Sequence, residues 1–466
     1  MKIWAAVLFL LLSLSPTSAR NYYVDSESGS DSNSGGGVLD AWQTMKKLTG
    51  YGWQPGFQPG DTIYLNGTFT DYLWIQLDLS HGSPGSPLRF TSTDPSNRAI
   101  IKPAKQHGIN VYSWLVAAGG DIEIDNLVVI GDGHLDEKNG QTTNGIFIYH
   151  DAPGDISNFY IHDVEVSGFS DAGIFSYRYN ESNHTGVIRN ITVENSVVHH
   201  NPGYPQWPHP SGNGVVLSGL VGGLIQGVEA HHNGELNESP GGGPVGIWTY
   251  DADSVLIRNC SSHDNLSKNN DGGGYDFDGG TTNSLIVDCT SYNNWGPGYE
   301  ACSYTYGVMN NGGHTQNNTV KDSTSSGDGY GKKFASVGVF PYQVPISEFH
   351  VVNVTGEGLK GEPQAHAHTH TRTKRSPQSP LRQQTTPSFL YLSTQPKTVD
   401  VTNTTNCTTW GQTYTIHNGV WMEPGNATGS IFLNADVHAS SITCNGATVV
   451  LNLACDSTLS PECTQS

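Results

Sequence analysis

The chain has few basic residues. Its 466 residues include 22 Lys and Arg against 42 Asp and Glu, which gives a formal net charge of −20 at pH 7. Binding to nucleic acid depends on clustered Lys and Arg that neutralise phosphates, so this composition argues against a nucleic-acid partner. Basic residues are concentrated, with His and Pro, in residues 364–387. We interpret residues 361–387 either as a disordered linker or as retained non-coding sequence. The alternating His366, His368 and His370 in it are candidate metal ligands.

Long apolar runs are missing beyond the N-terminus. Lys2, the apolar run at residues 3–14 and the small residue Ala19 are typical of a secretory signal peptide, which we place at residues 1–19. No later run is long enough to span a membrane. About a dozen Asn-x-Ser/Thr sequons suit a secreted glycoprotein, among them those at Asn66, Asn180, Asn190, Asn237, Asn353 and Asn426. We expect an extracellular protein that acts as a monomer.

Amphipathic helical periodicity is also missing, and short β-rich segments recur instead. One segment ends at Asn201, Asn233, Asn265 and Asn294, at steps of 32, 32 and 29 residues, and again 34 residues later at Asp328. Self-similarity at this period indicates a solenoid, a propeller or an array. Strands separated by Gly, Asn and Asp turns exclude helical repeats, and the signature dipeptides of a WD-type propeller are absent. We therefore predict an all-β, single-stranded, right-handed parallel β-helix.

A second series of segments carries the candidate chemistry. They begin with Gly and an apolar residue and cover residues 145–149, 173–177, 214–218, 246–250, 274–278 and 298–302. Alternate side chains of a strand face opposite sides. The third positions of the segments, which we expect to face outward, are Phe147, Phe175, Val216, Trp248, Asp276 and Glu300. The fifth positions, which share that face, are Tyr149, Tyr177, Ser218, Tyr250, Asp278 and Cys302. The pattern predicts an outward aromatic strip that ends in three carboxylates.

The repeats divide the chain. We expect an N-terminal cap and first coils at residues 20–104, with a capping helix at residues 40–48 that starts at Asp40. Coils follow at residues 105–360, and a β-rich segment with cysteines occupies residues 388–466.

The seven cysteines allow at most three disulfides and lack metal-site spacing. Cys260 and Cys289 share one column of neighbouring coils, so they form either a disulfide or an unpaired stack of small buried residues. The late group includes the candidates Cys455 and Cys463, with Cys407 and Cys444.

The N-terminal motifs 22–32 and 59–62, together with Trp42, resemble the cap of secreted right-handed parallel β-helix proteins of the pectate-lyase-like superfamily. Residues 246–284 and 298–299 resemble the right-handed β-helix repeat subgroup. The resemblance implies the fold over residues 21–360. It leaves the activity open, because the superfamily contains lyases, glycosidases, uronan epimerases and adhesin-like modules.

The carboxylates predict glycoside hydrolysis, which uses a pair of acidic side chains. Asp276 and Asp278 are the candidate catalytic pair, and Glu300 is an alternate or modulating carboxylate. Crowding raises one pKa and so supplies a general acid. A Ca²⁺ site at the same three residues is the alternative, with no cofactor required otherwise. We expect Trp248, Tyr250, Phe175 and Tyr177 to stack on sugar rings.

Histidines and one lysine complete the candidates. His209, in a Pro-rich loop, and His314, after the Glu300 coil, are candidates for contact with a polysaccharide substrate, and the alternative is that they belong to rigid surface loops. The column of His199, His231 and His263 is interpreted as structural. Lys268 is the cation nearest to the strip, and lyases of this fold abstract a proton with Lys or Arg, so a hydrolase is favoured over a lyase or epimerase. A noncatalytic glycan-binding or adhesin module is the further alternative.

Overall fold

The computed structural model describes residues 18–48, 56–113, 119–179, 186–205, 207–239, 242–304, 310–331, 336–341, 344 and 346–357. Beyond these it describes the backbone of seven strands between residues 388 and 464. The predicted linker at 361–387 and residues 1–17 of the predicted signal peptide lie outside the described residues, as do Cys407 and Cys455. Within the described part, no helix is both long enough and apolar enough to cross a membrane.

Parallel strands wind into coils with three faces, which confirms the predicted all-β parallel β-helix. The first face, here called the groove sheet, holds Leu73–Gln76, Ile109–Ser113, Asn144–His150, Ala172–Arg178, Gly273–Phe277, Tyr299–Ser303, Val337–Pro341, Ser388–Leu392 and Ser430–Leu433. The second face holds Asn21–Asp25, Thr62–Asn66, Leu88–Ser92, Gly120–Asp125, Ile156–His162, Ile188–Glu194, Leu285–Val287, Thr315–Lys321, Ile346–Val352, Val399–Thr404 and Ala439–Cys444. Two long strands, Asn213–Gln226 and Val245–Arg258, continue from the first face to the second.

The third face, here called the third sheet, consists of ten short parallel strands. They are Thr68–Phe69, Ala99–Ile101, Leu127–Ile130, Glu165–Ser167, Val197–His199, Glu229–His231, Ser261–His263, Thr290–Tyr292, Thr324–Ser326 and Thr355–Glu357. Near the C-terminus, Thr415–His417 pairs antiparallel with Glu462–Thr464, and Ala447–Val449 with Ala439–Cys444.

The register of the groove sheet agrees with the sequence columns. Phe147 pairs with Phe175, Trp248 with Asp276, and Asp276 with Glu300. The second positions of the six segments are all buried inside the coil, and they are Ile146, Ile174, Val215, Ile247, Tyr275 and Tyr299. Each coil therefore fixes which side chains of the next coil face inward and which face the groove.

The turns between the third sheet and the groove sheet contain a ladder of buried amides. The Nδ2 of Asn201 donates to Oδ1 of Asn233 at 2.9 Å, and each following amide repeats this bond. Asn233 donates to Asn265 at 3.0 Å, and Asn265 to Asn294 at 2.9 Å. Asn294 ends the ladder by donating to Asp328 at 2.8 Å. The repeat that predicted the period is thus a chain of hydrogen bonds between coils, which satisfies polar groups that would otherwise be buried unpaired.

The capping helix predicted at residues 40–48 is wrong. Two short 3-10 helices, Val38–Asp40 and Met45–Lys47, occupy this region. Between them Trp42 uses its backbone to pair with the first strand, since its N–H donates to Tyr23 and its carbonyl accepts from Asp25. A backbone that is hydrogen-bonded to a strand cannot also complete an α-helical turn. The indole of Trp42 is buried at the end of the core.

Parallel strand pairing continues in the segment predicted at residues 388–466. Ser388–Leu392 pairs in parallel with Val337–Pro341, and Val399–Thr404 pairs with Ile346–Val352. The strand Ser430–Leu433 adds a further coil on Ser388–Leu392. The C-terminal segment therefore continues the same parallel stack.

Cys260 and Cys289 are buried free thiols, so the alternative of an unpaired stack is the one that the structure adopts. The Sγ of Cys289 donates to the carbonyl of Val287, and the Sγ of Cys260 to that of Arg258. Each thiol thus satisfies a backbone carbonyl of its own turn. For Cys455 and Cys463 the disulfide stays a prediction, because the side chains of this region lie outside the description.

Candidate active site

A long groove runs along the groove sheet. Its volume is about 1160 Å³, which exceeds the usual range of small-molecule pockets. Six coil steps separate Trp74 at one end from Asp276 at the other, or about 29 Å at the strand spacing of a sheet. The groove is therefore long enough for an extended ligand.

Aromatic rings line most of this length. Tyr112 stacks on Tyr149 with ring centroids 4.5 Å apart, and Phe147 stacks on Phe175 at 5.5 Å. The predicted Phe175, Tyr177, Trp248 and Tyr250 all line the groove. Such faces offer flat apolar surface to a ligand.

The aromatic strip differs from its prediction in two ways. Trp248 is only 6% exposed, because it packs with Val216 and Val245 and its Nε1 donates to Oδ1 of Asn213. The strip also begins earlier than predicted, at Tyr72, Trp74 and Tyr112. The sequence contains the signal for the last of these, since residues 108–112 repeat the Gly-apolar pattern.

Acidic side chains gather at the C-terminal end of the groove. Asp276, the fourth residue of Gly273–Phe277, and Asp278, just after this strand, both line the groove. Each places a carboxylate oxygen, and Cys302 its Sγ, within 4.8 Å of the others. Asp271, whose Oδ2 accepts a hydrogen bond from the Gly243 N–H at 2.6 Å, lines the same end. The structure thus brings together the predicted pair and adds a third carboxylate that the sequence reasoning missed.

The surroundings of Asp276 and Asp278 differ. Asp276 is 3% exposed, and its Oδ1 has no hydrogen-bond partner among the described residues. Burial, with the charges of Asp278 and Asp271, raises the pKa of Asp276 well above its usual value. Asp278 is half-buried and accepts a hydrogen bond from the Gly279 N–H at 2.7 Å. Burial raises the pKa of Asp278 to about 8, opposed by that bond and by one from the Tyr304 hydroxyl. Asp278 is therefore the easier of the two to ionise.

Glu300 lies beneath the groove and does not line it. It is fully buried, and both of its carboxylate oxygens lack a hydrogen-bond partner in the described part of the chain. Burial raises its pKa well above the usual value. A Cβ at Gly273 would lie 1.9 Å from Oε1 of Glu300, so the glycine makes room for this side chain. Glu300 is therefore the neighbour of Asp276 on the next coil, and it is covered from a ligand in the groove.

Of the two histidines predicted to reach the substrate, His209 lines the groove and His314 does not. Half-buried His314 follows the 3-10 helix Asn310–Gly313, outside the groove wall. Lys268 also lies outside this wall. Its Nζ pairs with Glu238 at 3.1 Å. The groove-lining cation that the sequence reasoning missed is Lys138, whose Nζ lies 5.3 Å from the centroid of the Tyr72 ring. Among described residues, no Lys or Arg lines the acidic end.

The donor set at the acidic end does not favour Ca²⁺. The atoms that come together are two carboxylate oxygens and a thiol sulfur. Calcium takes six to eight oxygen ligands, and thiols suit softer metals. Glu300, which the calcium alternative also requires, is absent from this set.

Comparisons with known proteins give similarity to solved structures alone, since no protein family and no curated protein matches the chain. The GH136 lacto-N-biosidase from Eubacterium ramulus is 14% identical, with a TM-score of 0.45 over 72% of this chain and 65% of that enzyme. The chain thus spans less than two thirds of that enzyme's length. A pectate lyase is 17% identical, with a TM-score of 0.42 over 71% of this chain and 78% of its own. The DFA-IIIase from Arthrobacter chlorophenolicus is 12% identical, with a TM-score of 0.39 over 77% and 81%.

These likenesses are distant, and the fold of this chain is established by its own strand pairing. The parallel β-helix of the superfamily resemblance is present from the first strand onward.

Two more acidic residues that line the groove, Asp136 and Asp171, were not predicted from the sequence. Burial raises the pKa of Asp171 to about 7, although hydrogen bonds from Asn144 and Thr142 oppose the shift. Asp171 directly precedes the strand Ala172–Arg178, a turn position that the column pattern does not single out.

Proposed function

We propose that the protein is a secreted glycoside hydrolase that cleaves a polysaccharide in the long groove. The observation that carries the proposal is the pair of groove carboxylates, Asp276 and Asp278, with oxygens within 4.8 Å, beside a wall of aromatic rings. Paired carboxyl groups of this kind are what glycosidic cleavage requires. The volume of the groove favours an oligomeric or polymeric sugar over a small molecule.

Roles follow from the different environments of the two acids. Asp276, the more buried acid, keeps its proton and donates it to the oxygen of the leaving sugar. Asp278, which two donors stabilise as the anion, attacks the anomeric carbon. Water then releases the sugar from Asp278 while Asp276 acts as the base. The short separation supports this retaining route, since inverting enzymes need about 6.5 to 9.5 Å between the carboxyl groups. The route needs no metal.

No Lys or Arg is found in the described lining of the acidic end, which argues against the lyase alternative. Proton abstraction beside a sugar carboxylate needs a basic group and a positive charge for the developing anion. Both the neighbouring acids and the net charge of the chain oppose such an anion. A hydrolase is therefore the proposal that this end of the groove supports best.

The test is release of reducing sugar from a panel of plant, algal and microbial polysaccharides. Asp276→Asn and Asp278→Asn should each lower kcat by at least about 1,000-fold, because each removes one partner of the reaction. Asp288→Asn is the matched control, since Asp288 is exposed at a turn with φ of 53°, which Asn also adopts. This control should retain full activity.

The other functions give different results in the same assay. A glycan-binding module would bind a polysaccharide without any turnover. A lyase would release unsaturated products that absorb in the ultraviolet and would require Ca²⁺. Turnover that is unchanged in both Asp variants would contradict the assignment of the pair.

A further inference from the structure

Four histidines form a double row on the third sheet, outside the groove wall. His199 and His231 end successive strands, and His200 and His232 follow them. The rings of His199 and His231 stack with centroids 5.0 Å apart and an interplanar angle of 6°. Those of His200 and His232 stack at 4.9 Å and 3°. We call these four residues the histidine double row.

In each of these two turns the neighbouring imidazole rings are hydrogen-bonded to each other through their Nδ1 atoms, and a bound cation would replace this bond. The Nδ1 atoms of His199 and His200 are 2.8 Å apart, and those of His231 and His232 are also 2.8 Å apart. Two imidazole nitrogens bound to one tetrahedral zinc ion are about 3.4 Å apart, given a Zn–N distance of about 2.1 Å. A cation therefore fits between each pair after the rings part by about half an ångström.

Histidine replaces the usual turn residues at two of these positions. His200 and His232 have φ of 50° and 54°, in the left-handed region. The same turn in other coils is occupied by Gly168, Asp264 and Asn293, which are residue types that suit this conformation. In both coils the left-handed turn directs the second imidazole to the same side as the first. Adjacent residues of a regular strand would instead face opposite sides.

A carboxylate supports one ring from behind. Nε2 of His199 lies 3.5 Å from Oε1 of Glu165. A carboxylate on the far nitrogen is the usual support of a metal-binding histidine, because it fixes the tautomer and leaves the near nitrogen free to coordinate. The next coil differs, since the two ring nitrogens of His263 face Glu229 at 3.0 Å and Asp264 at 2.8 Å. His263 is thus committed to ion pairs, and the double row ends before it.

Imidazole nitrogen suits Zn²⁺, Cu²⁺ and Ni²⁺, whereas Ca²⁺ and Mg²⁺ prefer oxygen.

We propose that the histidine double row is a surface binding site for a divalent transition-metal ion such as Zn²⁺. The site is independent of the groove and of the glycosidase proposal. Each ion would be held by the two facing Nδ1 atoms of one coil, and Glu165 orients His199 in the first pair.

The test is calorimetric titration of the untagged full chain with Zn²⁺. His366, His368 and His370 are replaced by Ala in all samples, so that the His-rich segment does not contribute. The variant is His200→Asn with His232→Asn, because Asn293 shows that this turn accepts Asn. Zn²⁺ affinity should fall by at least about 100-fold, since loss of even a supporting residue costs 10- to 100-fold. The control, His81→Asn at an exposed site, should bind Zn²⁺ like the parent.

Three further measurements make the result decisive. Thermal unfolding of the double variant should match that of the parent without metal. His199→Gln, which leaves the turn residues unchanged, should weaken binding independently. Cu²⁺ bound to the parent should show nitrogen hyperfine splitting by electron paramagnetic resonance, and the double variant should lose it. Absence of Zn²⁺ binding by the parent, or equal binding by the double variant, would overturn the proposal.

Discussion

At the residue scale, the two groove acids are distinguished by the hydrogen-bond donors around them. Asp278 accepts from the Gly279 N–H and from the Tyr304 hydroxyl, whereas the deeper Asp276 accepts from the Cys302 thiol alone and its Oδ1 has no described partner. Donors stabilise the anion, and deeper burial with fewer donors favours the protonated acid. In the proposed reaction we therefore expect Asp278 to act as the nucleophile and Asp276, two residues away, as the proton donor.

The pH dependence of activity follows from Asp278. Because its pKa is raised to about 8, its nucleophilic anion accumulates as the pH rises toward 8, so kcat/KM should increase up to this pH. Tyr304→Phe removes a bond that lowers this pKa, and the rising limb should move upward by about one pH unit. Tyr160→Phe, at an exposed residue that bonds to Glu194, is the control and should leave the profile in place. A profile that Tyr304→Phe leaves unshifted would contradict the role given to Asp278.

We expect buried Glu300 to lower the free energy of unfolding at neutral pH. Its folded pKa lies above the unfolded value, so the folded state keeps a proton that the unfolded state loses as the pH rises. The folded protein therefore loses stability as the pH rises above about 4.3, the unperturbed Glu value. Glu300→Gln should raise the free energy of unfolding at pH 7 by about 1 to 3 kcal/mol, and the gain should vanish near pH 4.

Urea unfolding at the two pH values checks this, with the exposed Glu27→Gln as control. An equal gain at both pH values would show that the effect is not one of ionisation.

Side-chain type and spacing predicted which residues face the groove, but they did not predict how deeply each residue is buried. The alignment of strand positions between coils predicted that Asp276 and Glu300 share one face. The structure shows that Glu300 is covered, whereas Asp276 reaches the groove. Depth depends on loops that the strand pattern does not encode. In the same way Asn237 forms a sequon, yet its side chain is fully buried.

At the element scale, the coil is held in register by its asparagine ladder as well as by its strands. Oδ1 of Asn233 accepts from both Nδ2 and the backbone N–H of Asn201, so this side chain satisfies two buried donors. The repeat was visible in the sequence because hydrogen bonding between identical amides requires the same residue on each coil. The capping segment lacked such a repeat, and helical propensity alone misplaced it.

Replacing a ladder amide should destabilise the whole coil. Asn233→Ala leaves the two donors of Asn201 without a partner, and we expect a loss of about 2 to 4 kcal/mol in the free energy of unfolding. Urea denaturation followed by circular dichroism measures this loss. Asn97→Ala, at an exposed turn, should change stability by less than about 0.5 kcal/mol. Equal effects of the two substitutions would contradict the energetic role of the ladder.

At the scale of the whole molecule, the described aromatic wall lies on the N-terminal side of the carboxylates. In the proposed function, binding along the wall and cleavage at its end would therefore be separate along the coil axis. The strand of Tyr149 lies four coil steps, or about 19 Å, from the strand of Asp276. A long substrate reaches both places, and a short one reaches only the second.

Tyr149→Ala should therefore act through substrate length. We expect KM for a long oligosaccharide to rise about two- to tenfold, since a lost aromatic contact is worth about 0.5 to 1.5 kcal/mol. KM for a substrate of one or two sugar rings should stay the same, as should kcat for both. Steady-state kinetics on a length series from the active polysaccharide measures this. An equal change in KM at all substrate lengths would contradict a binding contact that only long substrates make with Tyr149.

The central claim is that Asp276 and Asp278 hydrolyse a glycosidic bond. It is tested most directly by mass spectrometry of the products formed in heavy-oxygen water from the polysaccharide that the protein attacks. We predict saturated products that carry one heavy oxygen at the new reducing end, and their loss in Asp276→Asn and Asp278→Asn. Unsaturated products without heavy oxygen would contradict the account. So would labelled products that both variants form as fast as the parent protein does.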